Sequence, residues 1–206
     1  MFALTEPTES DIAKFVSEQS QLPFSYTEAG ATQVALSEET VMPHGYNVDH
    51  NRIQLGRGAD VYTRAVAALK QWRQFDLGWV SLAPAGVQIE KGATVAVKAQ
   101  VCGMWSLNAC RIVYVVNEAP PTGANGARVF SRFGFAYGTL PDHIERGEER
   151  FLVEWNRTDD SVWYDILAFS QPQHPLVRLG FPVARMMQKR FARDSLAAMK
   201  SLFQSA

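Results

Sequence analysis

The stretch Glu149–Phe169 reads ERFLVEWNRTDDSVWYDILAF and consists of two apolar runs joined by a polar turn. Side chains two positions apart lie on the same face of a β-strand. In the first run, one such face carries Phe151, Val153 and Trp155. In the second run, Asp165 shares its face with Trp163, Leu167 and Phe169. The alternation therefore predicts two strands, and we expect Asp165 to face an apolar layer or a cavity.

Short apolar runs with the same period of two extend back from this stretch to Leu77. The six predicted strands are 77–83, 94–101, 109–116, 128–138, 149–155 and 162–169. Six consecutive strands predict an antiparallel meander, whose two halves are joined by the Pro- and Gly-rich loop 119–127. A further strand near Thr32–Leu36 is expected to pair onto an edge of the sheet.

Two helices are predicted before the strands. Thr8 and Ser10 are candidate caps for a short helix that ends near Gln19. The turn Gly56-Arg57-Gly58 precedes an amphipathic helix over Ala59–Phe75, because apolar residues recur there at helical spacing.

The C-terminal segment from Pro175 to Phe203 is also predicted to be helical. Its predicted core face carries Ala184, Met187, Phe191, Ala198 and Leu202. Its opposite face carries the basic residues Arg178, Arg185, Lys189, Arg193 and Lys200. Such a face is typical of a solvated helix surface, and the alternative is a contact with anionic lipid or nucleic acid.

Composition excludes several classes of protein. The chain has 206 residues, 47% of them hydrophobic, which predicts one folded domain over residues 1–206. The 20 basic and 21 acidic residues give no global field for nucleic acid, so no nucleic-acid partner is expected. The start lacks the pattern of a signal peptide, and no apolar run approaches the ~18 residues of a membrane span. We therefore expect a cytoplasmic protein.

The two cysteines, Cys102 and Cys110, lie in an apolar stretch without metal-binding spacing. We interpret both as small buried hydrophobic residues. A disulfide across this hairpin is the alternative, and a reducing compartment would keep it open.

The densest polar segment, Tyr137–Arg150, lies between two apolar strands and is predicted to be rich in turns. Within it His143 is flanked by Asp142 and Glu145, and a carboxylate can orient an imidazole and raise its basicity. This pattern suggests a general base, whereas the alternative is a turn held by ion pairs. The spacing matches neither a zinc nor a calcium pattern, so no metal is expected.

Two weaker signals precede this segment. Met42–Arg52 contains two histidines. It either approaches the Tyr137–Arg150 segment in space or is a polar loop that enters a strand, which is the commoner outcome. Gly56-Arg57-Gly58 offers free amides at a helix start, but it lacks the context of a phosphate-binding loop.

The sequence also resembles a known family. The residues that carry the resemblance are Gly56-Arg57-Gly58, Arg111–Tyr114, GFAYGTLP at 134–141, ERGEERF at 145–151 and Ala168–Ser170. They are similar to those of the uncharacterised domain of unknown function family 1990, over a match from about Tyr26 to Leu202. That family is similar to the helix-grip proteins related to the birch pollen allergen and to START domains. The resemblance therefore implies an α+β fold, in which a curved antiparallel sheet wraps a long C-terminal helix and encloses an apolar cavity.

These observations favour a protein that binds a small hydrophobic or lipid-like ligand between the sheet and the C-terminal helix, without a cofactor. The predicted ligand-binding residues are Tyr137, Thr139, His143, Glu145, Arg146, Glu149 and Arg57. Tyr137, Arg146 and Glu149 are expected to form one polar network at the cavity mouth. One alternative is an enzyme that uses His143, Glu145 and Glu149 as acid and base. The other is a peripheral membrane protein that uses Arg185, Lys189 and Arg193.

Overall fold

The architecture is a curved antiparallel sheet with its long C-terminal helix across one face, as seen in a computed structural model. The structure describes residues 2–34, 42–101, 103–119, 130–173 and 181–204. The predicted loop 119–127 lies almost wholly outside these residues, as does Cys102. The expected α+β helix-grip fold is confirmed.

The elements follow one another in a simple order within the described residues. The strands are β1 Phe2–Ala3, β2 Asn47–Arg57, β3 Val80–Ala83, β4 Thr94–Val101, β5 Met104–Glu118, β6 Phe130–Thr139, β7 Glu145–Asn156 and β8 Ser161–Pro172. The helices are α1 Glu9–Gln19, α2 Ala31–Val34, α3 Gly58–Lys70 and α4 Phe181–Ser201, with a single 3₁₀ turn at Arg73–Phe75.

The sheet has the order β2-β8-β7-β6-β5-β4-β3, and β1 pairs with β5. Neighbouring strands from β3 to β8 are sequential and antiparallel, so the predicted meander is confirmed. β2 closes the other edge by pairing with β8, from Asn47 opposite Ser170 to Arg57 opposite Ser161.

The edge strand was predicted in the wrong place. Ala31–Val34 forms one helical turn, whereas the strand that pairs with β8 begins at Asn47. The polar residues of Asn47–Arg52, interpreted as a loop, alternate between exposed and partly buried positions along this edge strand. Pairing with β8 satisfies their backbone groups, which outweighs the weak apolar pattern of the segment.

The main core lies between the inner face of the sheet and the helices α3 and α4. It contains Leu69 and Met199 from the helices and Phe135, Phe151 and Tyr164 from the strands, all at most 1% exposed. α3 ends at Lys70, before the predicted end at Phe75, because Trp72 adopts a left-handed backbone with φ 58°.

The predicted core face of α4 is displaced. The fully buried positions of the helix are Ala192, Ser195 and Met199. Ala184, Met187 and Phe191 from the predicted face are only partly buried, because they line a cavity.

The outer face of the sheet is covered by residues 24–34, which we call the strap. The carboxylate of Glu148 holds the strap by accepting hydrogen bonds from the Tyr26 hydroxyl at 2.8 Å and the Gly30 amide at 2.7 Å. It also accepts from the amide of Thr32 at 3.0 Å and from the Thr32 hydroxyl. At Gly138 a Cβ would lie 2.1 Å from the Tyr26 hydroxyl, so glycine is required where the strap crosses β6.

Asp165 is buried beside this strap on the outer face, so it faces a polar network and not the cavity. It accepts a hydrogen bond from Arg150 at 2.9 Å and lies 2.6 Å from His50 Nε2. Arg150 also donates to the carbonyl of Thr32 at 2.9 Å. The charges of Glu148 and Arg150 therefore attach the strap to neighbouring positions of one strand.

Replacing Glu148 tests the strap. Gln at this position would turn an amide NH₂ towards two donors, leaving buried donors unsatisfied, so Glu148→Gln should lower the free energy of unfolding by about 3 kcal/mol. Urea denaturation measures this loss. The exposed Glu90→Gln is the matched control and should change stability by less than about 0.5 kcal/mol. Equal stability of the two variants would contradict a structural role for Glu148.

Candidate functional site

A cavity of about 1250 Å³ lies between the inner face of the sheet and α4. Ligand pockets usually have volumes of roughly 300 to 1000 Å³, so this cavity is large. Most of its lining is apolar, with contributions from Ile53, Trp79, Val97, Ile166, Met187 and Phe191. The polar residues that line it come mainly from the ends of β6 and β7 and from the start of β2.

The clearest polar feature of the cavity is a pair formed by the buried Tyr137 and the half-buried Glu149. The two residues are directly opposite each other on β6 and β7, and both face inward. The Tyr137 hydroxyl donates a hydrogen bond of 2.7 Å to Glu149 Oε2. This contact confirms two members of the predicted polar network.

The pKa of Glu149 is raised from its ordinary value of 4.5 to about 7. Burial is the main cause, because a charged carboxylate loses hydration inside the protein. The hydrogen bond from Tyr137 lowers the pKa, whereas the charges of Glu145 and Asp49 raise it. Glu149 is therefore partly protonated near neutral pH.

A second polar group connects α4 to the sheet. Gln188 on α4 donates hydrogen bonds to Glu145 and, at 2.8 Å, to the Ser170 hydroxyl. Arg185, one turn earlier, forms a two-pronged ion pair with Asp49 on β2, with Nη2 2.6 Å from Oδ1. Burial raises the pKa of Glu145, against the lowering effects of Ser170, Gln188 and Arg185. These contacts fix the first half of α4 over the cavity.

Thr139 and His143 also line the cavity, as predicted. Thr139 Oγ1 accepts a hydrogen bond from the Gly147 amide at 2.9 Å. His143 Nδ1 accepts from the Glu145 amide at 3.0 Å, so the neutral ring carries its proton on Nε2. Burial lowers the pKa of His143 to about 4, and the hydrogen bond with the Glu145 backbone opposes this effect. This shift is the opposite of the predicted increase in basicity, which required a carboxylate to orient the ring.

Arg146 does not join the predicted network. It lies on the outer face of β7, opposite Gln171, because its parity along the strand differs from that of Glu149. On this face Arg146 lies near Tyr46. Burial has the largest effect on the pKa of the Tyr46 hydroxyl and raises it, whereas the charge of Arg146 lowers that pKa. Arg146 Nε is buried without a hydrogen-bond partner among the described residues.

Arg57 lies outside the cavity lining as well. It occupies the N-cap position of α3, at the end of β2 that is remote from Asp49. Its Nη1 donates a hydrogen bond to the Asp159 carbonyl at 3.0 Å. Neither Arg57 nor Arg146 therefore contributes to the site.

The described basic residues of α4 form the predicted solvated face only in part, since Lys189 and Arg193 are exposed but Arg185 and Lys200 are partly buried. Lys200 Nζ donates to the carbonyls of Gln54 and Leu55 at 2.6 and 3.1 Å, and Arg185 binds Asp49. Arg193 pairs with the adjacent Asp194 at 2.8 Å, whereas Lys189 is exposed. Arg178 lies outside the described residues.

Within the part of the chain that is described, no helix is long and apolar enough to cross a membrane.

Sequence reasoning missed Asp49, Arg185 and Gln188 as partners at the cavity and Glu148 as the anchor of the strap. The sequence did contain a signal for which acidic residues face the cavity. Glu145 and Glu149 are separated by even numbers of residues from Phe151 and Val153, so all four lie on the same face of a strand. The predicted turn-rich segment concealed it, because the structure extends β7 back to Glu145. The partners on β2 and α4 had no such signal.

A curved antiparallel sheet that encloses a cavity beneath its C-terminal helix defines a protein of the helix-grip class. The chain belongs to the family described as domain of unknown function (DUF1990), which matches residues 25–198.

Relatives in distant organisms support this membership. A UPF0548 protein of Dictyostelium discoideum is 39% identical over 209 residues, covering 97% of this chain and 94% of the relative. A UPF0548 protein of Deinococcus radiodurans is 34% identical over 205 residues, covering 94% of each chain.

Solved structures with a similar arrangement have little sequence identity to this chain. A hypothetical protein from Helicobacter pylori aligns with a TM-score of 0.50 at 11% identity, over 77% of this chain and 88% of the other. Ara h 8.0201 aligns with a TM-score of 0.46 at 12% identity, over 76% and 99% of the two chains. Human STARD10 aligns with a TM-score of 0.40 at 12% identity, over 93% and 81%.

The raised pKa of Glu149 predicts a pH-dependent stability difference. Because the folded state holds this proton more tightly than the unfolded state, the contribution of Glu149 to stability falls as pH rises from about 4.5 to about 7. Glu149→Gln removes this effect and can still accept from Tyr137. The stability of the variant relative to wild type should be roughly 2 kcal/mol greater near pH 8 than near pH 5. Urea denaturation at several pH values measures this difference, and a difference independent of pH would contradict the assignment.

Proposed function

We propose that this protein binds a small hydrophobic or lipid-like molecule in the cavity between the sheet and α4. The observation that carries this proposal is a partly open apolar cavity of about 1250 Å³ between the sheet and α4. Protein interiors normally contain few voids larger than a water molecule. A space of this size is therefore better explained by an occupant than by imperfect packing.

The lining determines what kind of occupant fits. Side chains such as Trp79, Ile166 and Phe191 lose van der Waals contacts when no atoms lie opposite them. Water forms few hydrogen bonds with such a surface. An apolar molecule restores the contacts and removes the poorly bound water, so binding is favoured by both effects.

Contacts along α4 support a preformed cavity. Trp79, directly before β3, donates from Nε1 to Asp194 on α4 at 3.0 Å. The Arg190 guanidinium of the same helix lies 4.4 Å from the centre of the Trp79 ring. Nearer the sheet, the hydroxyls of Tyr164 and Ser195 lie 3.0 Å apart. A helix held along its length preserves the site without a ligand, which reduces the cost of ordering on binding.

The enzyme hypothesis receives less support from the geometry. His143, Glu145 and Glu149 line the same cavity, but their hydrogen bonds go to a backbone amide, to Gln188 and to Tyr137 respectively. Within the described residues these three side chains do not hydrogen-bond to one another, so none of them is oriented by another as an acid–base pair. The arrangement therefore favours binding, with Glu149 as a polar contact for the ligand.

Filling the cavity tests the proposal. The neutral fluorescent dye N-phenylnaphthylamine should bind the wild-type protein and increase its fluorescence. Ala168→Trp and Ala184→Trp place an indole in the cavity from the sheet and from α4, and each should weaken dye binding at least about tenfold. Fluorescence titration measures the Kd, and circular dichroism confirms that each variant is folded.

The matched control is Ala67→Trp on the exposed side of α3, which does not line the cavity. Its dye affinity should equal that of the wild type. Dye binding that all four proteins share, or its absence from the wild type, would reject the cavity as a binding site.

A further inference from the structure

Among the described residues, acidic side chains that face the interior of the cavity outnumber basic ones. Four acidic residues border it, Asp49, Glu145, Glu148 and Glu149, but the carboxylate of Glu148 faces the strap and accepts its four hydrogen bonds there. Of the other three carboxyl groups, that of Asp49 is paired with a cation among the described residues, Arg185. Lys189 and Arg193 also border the cavity, but both side chains are exposed at its rim. The described interior therefore contains two carboxyl groups without a cation hydrogen-bonded to them.

Glu149 is the less satisfied of these two. A carboxylate can accept about four hydrogen bonds. Within the described residues, Glu149 accepts one, on Oε2 from Tyr137. The outer-face Glu148, one residue earlier, accepts four hydrogen bonds. Glu149 Oε1 thus remains available to a group inside the cavity.

We infer that the cavity selects a hydrophobic molecule that carries a basic nitrogen, which binds as a cation to Glu149. This inference rests on the proposed function, because it specifies the ligand of the same cavity. A cationic nitrogen would provide the positive charge that the interior lacks, and the apolar lining would contact the rest of the molecule.

Other headgroups fit less well. A carboxylate or phosphate would be repelled by Glu145 and Glu149. Among the described residues around these two groups, the partly buried cation is Arg185, which already binds Asp49, whereas Lys189 and Arg193 are exposed at the rim. A neutral hydroxyl or carbonyl group would leave the charge imbalance in place. An alkylamine, including one joined to an aromatic ring through an alkyl chain, has a pKa like that of lysine, so it is protonated at neutral pH and pairs with the carboxylate.

The titratable groups around Glu149 allow us to predict whether Glu149 releases or takes up a proton when a ligand binds. They are Tyr137 on β6, Cys110 on β5, Tyr164 on β8, Glu145 on β7 and Asp49 on β2. Burial raises the pKa values of Tyr137, Cys110 and Tyr164 well above their ordinary ranges, so these groups stay protonated near neutral pH. A bound cation should lower the pKa of Glu149 and release its proton, whereas a neutral ligand should raise that pKa by desolvation and cause proton uptake.

The test uses three probes with the same ring system, naphthylethylamine, naphthylethanol and naphthylpropanoate. Isothermal titration of the full chain should give a Kd for the amine at least about tenfold lower than for the alcohol, with the carboxylate weakest. Titrations near pH 7 in buffers of different ionisation enthalpy should show release of about half a proton per amine bound, since the pKa of Glu149 is about 7.

Variants assign the effect to Glu149. Glu149→Gln should weaken amine binding at least about tenfold, remove the proton release and change the Kd of the alcohol by less than about threefold. Glu145→Gln should reduce amine binding by a smaller factor, because Gln188 already occupies that carboxyl group. The exposed Glu90→Gln should bind all three probes as the wild type does.

The outcomes separate this inference from the proposed function. Equal binding of amine and alcohol, tighter binding of the carboxylate, or proton uptake with the amine would overturn the selection of a cation while leaving a hydrophobic site intact. Failure of all three probes and of the neutral dye would overturn both.

Discussion

The central constraint on this structure is that β7 is buried on both faces, so the alternation of its side chains separates its charges. Glu148 and Arg150 face outward to the strap, whereas Glu145 and Glu149 face inward to the cavity. A shift of the register by one residue would exchange the two sets and place Phe151 and Val153 outside the core. The close crossing of the strap at Gly138, on the neighbouring β6, depends on the same register.

The two faces treat buried charge in different ways. On the outer face, Glu148 is surrounded by hydrogen-bond donors, and Arg150 lies between a carbonyl and the carboxylate of Asp165. Such satisfaction is what buried charges require if they are to stabilise a fold. On the inner face Glu149 has a single donor, and its pKa rises because burial is incompletely compensated. A carboxyl group with a raised pKa beside a cavity is a candidate for a functional position.

The helix α4 connects these features to the cavity. Its buried positions complete the core, while the preceding turns lie over open space and attach to the sheet through Arg185 and Gln188. The basic residues of the helix therefore serve partly as internal contacts. This accounts for the incomplete solvated face, since an arginine or lysine can cover apolar surface and direct its charge to a partner on the sheet, as Arg185 and Lys200 do.

The amino-acid sequence by itself determined the meander of six strands, the positions of α1 and α3, and the inward face of Phe151, Val153 and Trp155, because these depend on local periodicity and capping. It also predicted that Tyr137 and Glu149 would meet, since adjacent antiparallel strands bring their flanking residues together. The tertiary structure alone decided which edge strand pairs with β8 and that Asp49 neutralises Arg185. These outcomes depend on contacts between segments more than a hundred residues apart, as in the pair Arg185 and Asp49, which differ by 136 positions. Periodicity assigns a side chain to a face, but only the folded chain determines which distant group lies opposite it.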